Sequence, residues 1–180
     1  MNKKKKRLVF RSVVLTLLVG TLVFVLIVNA NSERPDLEEG VEAPNFKLDR
    51  LDKSGETIEL KELRGQGVMV NFWATYCEPC KKEMPYMDQL YQDYKDQGIE
   101  IVAVSVDRNE SVINNFYNSL DLSFPSTIDR QETVMDVYEV TNLPASFFIN
   151  PDGTIERIVR GPVTLESLEG YFQEILPEKS

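Results

Sequence analysis

Residues 71–85 read NFWATYCEPCKKEMP, and this stretch decides how the rest of the chain is interpreted. The apolar run 68–73, which is rich in strand formers, predicts a central strand buried on both faces. Residues 79–95 carry apolar side chains at three- and four-residue spacings, which predicts an amphipathic helix. Cys77 and Cys80 therefore lie where a strand turns into a helix.

The segments on either side of this unit alternate between strand and helix patterns. Short alternating segments at 46–48 and 57–60 predict a β-hairpin, and 61–64 predicts one helical turn. The segments 146–149 and 154–159 flank an Asn-Pro-Asp-Gly turn and predict a second, antiparallel hairpin. The alternation predicts an α/β fold with a largely parallel centre. Further strands are predicted at 99–106 and 124–128, and further helices at 111–120, 133–138 and 164–176.

Cys77 and Cys80 are the only cysteines of the chain, and three interpretations compete. A structural zinc site needs four ligands, which two thiolates without histidine could supply only by dimerisation. A purely structural disulfide would close a very short loop and contribute little chain entropy. A redox pair fits the placement, because the free N–H groups and the dipole at a helix N-terminus stabilise a thiolate.

The redox interpretation assigns a role to each residue of the Cys-Glu-Pro-Cys motif. Cys77 is the nucleophile that attacks a partner disulfide, and Cys80 then resolves the mixed disulfide by forming a Cys77–Cys80 bond. Pro79 lacks an N–H group, which costs nothing in the first turn of a helix and stiffens the loop. Glu78 opposes thiolate formation and adds negative potential, which favours a more reducing pair.

The composition excludes several other classes of function. The chain of 180 residues contains no histidine, the usual general base and the commonest metal ligand. All six basic residues of the first thirty positions precede an apolar run, which leaves 14 basic against 29 acidic residues elsewhere. Such an acidic body repels phosphate backbones, so nucleic-acid binding is not expected. No metal and no other cofactor is expected.

The N-terminus predicts a membrane anchor. Residues 1–12 are basic, residues 13–29 are an uncharged apolar run, and residues 30–40 are a polar, acidic linker. The charge distribution places the N-terminus in the cytoplasm and the rest of the chain outside it. A cleaved signal peptide is the alternative, because Val28-Asn29-Ala30 approximates a cleavage site. In either case residues 41–180 form one exported domain.

Residues 71–85 resemble the active-site segment of thioredoxin, including the proline five residues after the second cysteine. Nearly the whole chain is similar to the ResA-type extracytoplasmic thioredoxins of the TlpA and CcmG group. The similarity includes the N-terminal anchor, Ala43-Pro44-Asn45-Phe46, the Cys-Glu-Pro-Cys motif and Leu143-Pro144 before a strand. It implies a thioredoxin-like fold: a central mixed β-sheet flanked by helices, with an N-terminal β-hairpin and a central βα insertion.

The resemblance also implies further site residues. Pro144 is the cis proline that faces the dithiol and lets the backbone of Leu143 meet an incoming strand; a trans turn proline is the alternative. Glu83 is the acid near the dithiol that relays a proton, and an inert solvated glutamate is the alternative. Trp73, within the matched segment, is a substrate-binding or tuning residue. Asn71 replaces the buried aspartate that thioredoxin usually has there.

The implied activity is reduction of protein disulfides outside the cytoplasm. The resemblance implies apocytochrome c, whose haem-attachment cysteines must be reduced, as client, and a CcdA- or DsbD-type membrane thiol carrier as electron donor. Reduction of other exported or spore-envelope proteins and an oxidant or isomerase role remain alternatives. A peroxidase would require proline and threonine where Val70 and Ala74 stand, and a copper chaperone would add histidine or methionine ligands. Asp107-Arg108 departs from the family pattern, which has a glycine and an acid.

Overall fold

The computed structural model describes residues 3–30 and 37–178, and the chain forms two units that divide after Asp36. The first unit contains helix α1 (Lys3–Ala30), whose described side chains, at 10–25, are all exposed. Among the described residues, no helix combines the length and apolar character needed to cross a bilayer. This finding does not support the transmembrane anchor at 13–29, which stays a prediction.

Parts of the predicted N-terminal organisation cannot be compared with the structure. Residues 1–2 of the basic segment and residues 31–36 of the linker lie outside the described residues. The second unit begins at Leu37, which is buried. The Gly40 N–H group donates a hydrogen bond to the Ile155 carbonyl over 2.7 Å, so the last residues of the predicted linker contact the folded domain.

The second unit is built on a five-stranded mixed sheet, which confirms the predicted sheet type. Three strands run parallel, β3 (Gly67–Trp73), β4 (Ile99–Ser105) and β5 (Ser126–Ile128); β6 (Ala145–Ile149) and β7 (Ile155–Arg160) add antiparallel pairs. The spatial order is β5-β4-β3-β6-β7. β3 is the central strand, and all seven of its residues are buried, as the continuous apolar run predicted.

The predicted hairpins and helices are also present. Strands β1 (Lys47–Asp49) and β2 (Thr57–Glu59) pair antiparallel, and a 3-10 helix follows at Leu60–Leu63. β5 is shorter than predicted, because Pro125 has no N–H group to donate to the sheet. The helices are α2 (Glu78–Tyr94), α3 (Glu110–Leu120), α4 (Thr133–Val137) and α5 (Leu165–Glu174).

Two apolar cores lie against the sheet. One contains Tyr138 of the α4 region, Phe46 of the N-terminal segment and Phe147 of β6. The other packs α2, α3 and α5 and includes Cys77 and Cys80. The dithiol therefore belongs to the core on which α2 packs.

The register of the sheet brings distant segments to one edge. Trp73, the last residue of β3, pairs with Ser105, the last residue of the parallel strand β4. Phe72 pairs with Ala145, the first residue of the antiparallel strand β6. The loops after β3 and β4 and the loop before β6 therefore meet where the chain enters α2.

Candidate active site

Cys77 and Cys80 are joined by a disulfide at the start of α2, with their Cα atoms 5.3 Å apart. Cys77 is the N-cap of the helix, and its Sγ accepts a hydrogen bond from the Cys80 N–H group over 3.3 Å. Cys77 is 8% exposed and Cys80 is 0% exposed. A partner therefore reaches Cys77 first, and the helix N-terminus stabilises negative charge on its sulfur.

Glu83 lies one helical turn after Cys80 and points into the protein, with only 1% of its surface exposed. Its Oε1 accepts from Asn71 Nδ2 over 3.0 Å, and its Oε2 accepts from the Val163 N–H group over 3.0 Å. Burial raises the pKa of Glu83 to about 7, although both hydrogen bonds oppose that shift. This carboxyl group can therefore gain or lose a proton near neutral pH.

Asn71 connects Glu83 to the neighbouring strand. Its Nδ2 also donates to Ser146 Oγ over 3.0 Å, across the β3–β6 pair in which the two residues are directly opposite. Among the described groups, Asn71 Oδ1 has no hydrogen-bond partner although it is buried. Both amide hydrogens are thus committed to polar groups in an otherwise apolar core, which holds Glu83 in one position.

The Leu143–Pro144 peptide bond is cis, as the resemblance implied. Pro144 is buried and Leu143 is half-buried, and the Pro144 carbonyl accepts from the Gly161 N–H group over 2.9 Å. Residues 140–145 with 160–161 line a small depression beside this bond. Because Ala145 pairs with Phe72, this loop lies at the sheet edge from which the Cys77 loop also starts.

Trp73 lies in the core, whereas Glu78 lies at the surface. Trp73 is fully buried and packs on Phe116 and Tyr117, with ring centroids 5.2 and 5.8 Å away. It supports the loop before Cys77 from the core and does not line the protein surface. Glu78 is exposed and forms an ion pair with Lys81 over 2.7 Å, which lowers the pKa of the carboxyl group. Its charge is therefore partly compensated.

Two further residues at this edge were not among the predicted site residues. Tyr76 precedes Cys77 and is 73% exposed, so a client that reaches Cys77 meets an aromatic ring beside it. Asp107 is buried and accepts from the Thr75 N–H group over 2.8 Å and from Thr75 Oγ1 over 2.9 Å. The available signal was position: Asp107 follows a buried strand parallel to the one that delivers Cys77.

In the described parts of the chain, no group of three or more cysteine, aspartate or glutamate residues is arranged to hold a metal ion. The reactive groups of the site are thus a disulfide and a buried carboxyl group, a combination suited to electron-pair and proton transfer between sulfur atoms.

Comparisons with known proteins point to the same chemistry. Residues 40–158 match the AhpC/TSA family. The chain is 44% identical to the thiol-disulfide oxidoreductase ResA of Oceanobacillus iheyensis over 181 residues, 99% of this chain and 94% of that protein. It is 41% identical to ResA of Bacillus subtilis over 175 residues, 97% of each chain.

Solved structures resemble the folded domain. StoA from Bacillus subtilis is 30% identical, with a TM-score of 0.62 over 73% of this chain and 98% of that one. A putative thiol:disulfide interchange protein DsbE from Chlorobium tepidum is 27% identical, with a TM-score of 0.72 over 78% of this chain and 99% of that one. The relatives therefore extend along nearly the whole chain, and the structural neighbours cover the domain that carries Cys77 and Cys80.

Proposed function

This chain belongs to the AhpC/TSA family and, within it, to the ResA thiol-disulfide oxidoreductases, and we propose that it reduces disulfides of proteins outside the cytoplasmic membrane. The observation that carries this direction is the buried Glu83 one turn from a fully buried Cys80, while Cys77 is the sulfur with exposed surface. The client that we propose is apocytochrome c.

The reaction transfers two electrons from the dithiol to the client. The Cys77 thiolate attacks one sulfur of the client disulfide, which breaks the client S–S bond and forms a mixed disulfide. Cys80 then attacks Cys77 Sγ, which forms the Cys77–Cys80 bond and releases the second client thiolate. Protons from the two protein thiols balance the two client thiols, and Glu83 is placed to take up the proton that Cys80 loses.

The surroundings of the dithiol favour reduction of the client over its oxidation. A thiolate is disfavoured in a buried site beside a carboxylate, because both low polarity and like charge oppose its ionisation. A pair whose thiolates are poorly stabilised is a stronger reductant, whereas DsbA is a strong oxidant because its reduced form is stabilised. Because Cys80 and Glu83 are both buried, we expect the cysteine pair of this protein to be a reductant.

Client and donor are proposed from the similarity to the ResA group. A Cys-x-x-Cys-His segment of apocytochrome c is a short, extended client that fits beside Cys77 and the backbone of Leu143. After each turnover the Cys77–Cys80 disulfide has to be reduced again, which we assign to a membrane thiol carrier of the CcdA or DsbD type.

We also propose that the N-terminal segment retains the domain at the outer side of the cytoplasmic membrane. The support is the uncharged run at 13–28, the six basic residues before it and the acidic residues after it. The described side chains of that run are exposed, and an apolar helix surface needs apolar surroundings. Separating membranes from soluble fractions, followed by protease accessibility of the domain in spheroplasts, tests this proposal.

The reduction potential tests the direction of the reaction. We expect equilibration in dithiol–disulfide buffers to give a value at or below about −270 mV, the potential of thioredoxin. A value near about −120 mV, that of DsbA, would contradict the reductase proposal and support the oxidant alternative.

Trapping of the mixed disulfide tests the client. In the source cells, Cys80→Ala leaves Cys77 attached to its partner, and Cys77→Ala is the blank. Recovery of a Cys-x-x-Cys-His peptide supports apocytochrome c. Recovery of other exported or spore-envelope proteins instead would replace the proposed client while leaving the exchange chemistry intact.

A further inference from the structure

Asp107 holds the loop that presents Cys77. The carboxylate is 8% exposed, and three donors surround it: the Thr75 N–H group at 2.8 Å, Thr75 Oγ1 at 2.9 Å and Ser105 Oγ at 3.0 Å. We propose that Asp107 is a positioning residue for Cys77, which fixes the loop 74–77 so that the sulfur stays at the N-cap of α2. This inference rests on the dithiol exchange of the proposed function.

The loop has few other attachments. The Val106 N–H group donates to the Trp73 carbonyl over 3.1 Å, and the Cys77 N–H group donates to the Ala74 carbonyl over 3.0 Å. The side chain of Tyr76 is exposed and does not anchor the loop. Asp107 thus holds the middle of the loop, two residues before the sulfur, while Val106 holds its start.

The clamp is assembled from the end of β4. Ser105 is fully buried, and its hydroxyl both donates to Asp107 Oδ2 and accepts from the Asp107 N–H group over 3.1 Å. The carboxylate orientation is therefore set by the strand that pairs with β3 in parallel. Since both strands are buried and paired in the core, they give the loop between β3 and α2 a defined position.

The charge of Asp107 also reaches the neighbourhood of Cys77. The pKa of Tyr76, the residue before Cys77, is raised by partial desolvation of its mostly exposed side chain and then by the negative charge of Asp107. Position and charge can be separated, because the amide introduced by Asp107→Asn can keep all three contacts. The amide oxygen would accept from Thr75 N–H and Ser105 Oγ, and the amide nitrogen would donate to the Thr75 hydroxyl, which can accept as well as donate.

The test measures the rate at which the reduced full-length protein exchanges with oxidised glutathione between pH 5 and 9. The clamp predicts that Asp107→Ala lowers the plateau rate at least about tenfold, because misplacement of a reacting group is costly. Asp107→Asn is expected to stay within about threefold of the parent protein, and Thr75→Val to fall between the two variants. Cys77→Ala is the blank.

Asp129 offers a matched control. It is buried, directly follows β5, and accepts hydrogen bonds from the backbone N–H groups of Thr133, Val134 and Met135 at the start of α4. Asp129→Asn is expected to lower the melting temperature and leave the exchange profile unchanged. If that variant also slows exchange, general destabilisation explains the effect and the proposal fails.

Two outcomes overturn the assignment directly. Asp107→Ala with the parent rate would show that the clamp does not position Cys77, and Asp107→Asn as slow as Asp107→Ala would show that charge matters and not position. If Asp107→Ala does not fold, the exchange rates of the other two variants still test the proposal, which requires Asp107→Asn to exchange faster than Thr75→Val. Because glutathione replaces the client, failure here is distinguishable from a wrong client, and loss of all exchange in the parent would instead reject the proposed function.

Discussion

The two sulfurs of the site are separated by one helical turn and lie in different surroundings. Cys80 is enclosed, and the polar groups near it, Glu83, Asn71 and Ser146, are buried and hydrogen-bonded to one another. Cys77 is at the surface end of the helix, between the exposed Tyr76 and the exposed Glu78.

The difference shows that closeness to Cys77 along the sequence does not decide whether Glu78 or Glu83 has the stronger influence on the site. Glu78 is adjacent to Cys77, but solvent and the ammonium group of Lys81 compensate its charge, and its pKa is lowered. Glu83 is further along the chain, but burial raises its pKa to about 7. An interior carboxyl group influences its neighbours more strongly because little solvent screens it. We therefore expect Glu83 to govern proton transfer and Glu78 to be a minor contributor.

Removal of each sulfur tests the division of roles most severely. Cys77→Ser is expected to lower turnover on the order of 10³-fold or more, as loss of a nucleophile does in other enzymes. Cys80→Ser is also expected to abolish turnover, but with a covalent adduct at Cys77 that accumulates in one step. Mass spectrometry after mixing with a disulfide peptide distinguishes the two variants. An adduct on Cys80 in the Cys77→Ser protein, at the parent rate, would reverse the assignment.

Substitution of Glu83, the buried acid, tests the surroundings of Cys80. The pKa of Glu83 is about 7 in the folded protein and its ordinary value is 4.5, so the folded state holds the proton more tightly. The contribution of Glu83 to the free energy of unfolding of the parent is therefore expected to fall, by about 3 kcal/mol, as the pH rises from about 4.5 to about 7. Glu83→Gln is expected to lack this fall.

Urea unfolding at a series of pH values measures the effect of Glu83→Gln. The amide in this variant keeps only one of the two hydrogen bonds well, which costs about 1 kcal/mol at low pH, so the slope of stability against pH is the informative quantity. Glu78→Gln is the control, because an exposed acid with a compensated charge contributes little to that slope. Equal slopes in the parent and Glu83→Gln would mean that Glu83 does not titrate in this range.

Removal of the amide that holds the acid has a smaller effect. Asn71→Ala removes a hydrogen bond to the ionised carboxylate, so the pKa of Glu83 is expected to rise above about 7. The loss of stability should exceed the loss at pH 5 by about 1 kcal/mol at pH 8, one unit above the pKa of the parent carboxyl group, where that group is ionised. Unfolding at both values measures the difference.

Asn45→Ala is the matched control for Asn71→Ala. Asn45 Nδ2 donates to Glu59 Oε1 over 2.9 Å, an equivalent amide–carboxylate bond away from the dithiol. The pKa of Glu59 is lowered to about 2, so this carboxyl group is ionised at both pH 5 and pH 8. Its variant should lose equal stability at the two values. The same equality in Asn71→Ala would contradict the role assigned to Asn71.

Substitution of the exposed acid is expected to have the smallest effect. Glu78→Gln removes a charge that Lys81 and solvent already compensate, so the rate of glutathione exchange at pH 7 should change by less than about twofold. The measurement is informative at low ionic strength, where screening is weakest. A change well above about twofold would show that the exposed charge tunes the nucleophile.

Much of the fold was predictable because its signals are local. The buried strand β3, the amphipathic helix α2 and the hairpins at 47–59 and 145–160 follow from hydrophobic periodicity and turn residues. The strand–helix junction at Cys77 follows from the same signals, and the proline in its first turn agrees with it. The length of β5 was overestimated, since apolar Phe124 was counted as strand, whereas Pro125 has no N–H group to donate and pairs only through its carbonyl, which accepts from the Ala103 N–H group over 3.1 Å.

The orientation of site residues was less predictable. The assignment of Trp73 to substrate binding or tuning did not anticipate that its ring lies wholly in the core against α3, and the assignment itself stays a prediction. Glu83 had two interpretations on the sequence, inward or solvated, and only packing distinguishes them. Asp107 was noted as a departure from the family pattern, and its contact with Thr75, 32 residues earlier, was not anticipated.

By itself, the sequence determined the chemistry: two cysteines at the start of a helix, no histidine, and an acid one turn further along. These features depend on residue identity and on the helical period, which local backbone geometry sets. Tertiary structure alone decided which acid is buried, which amide holds it and which aspartate fixes the loop. Those contacts join β3 to β6 and the loop after β3 to the residues after β4, across separations of 75 and 32 residues, and exist only after the strands have paired in register.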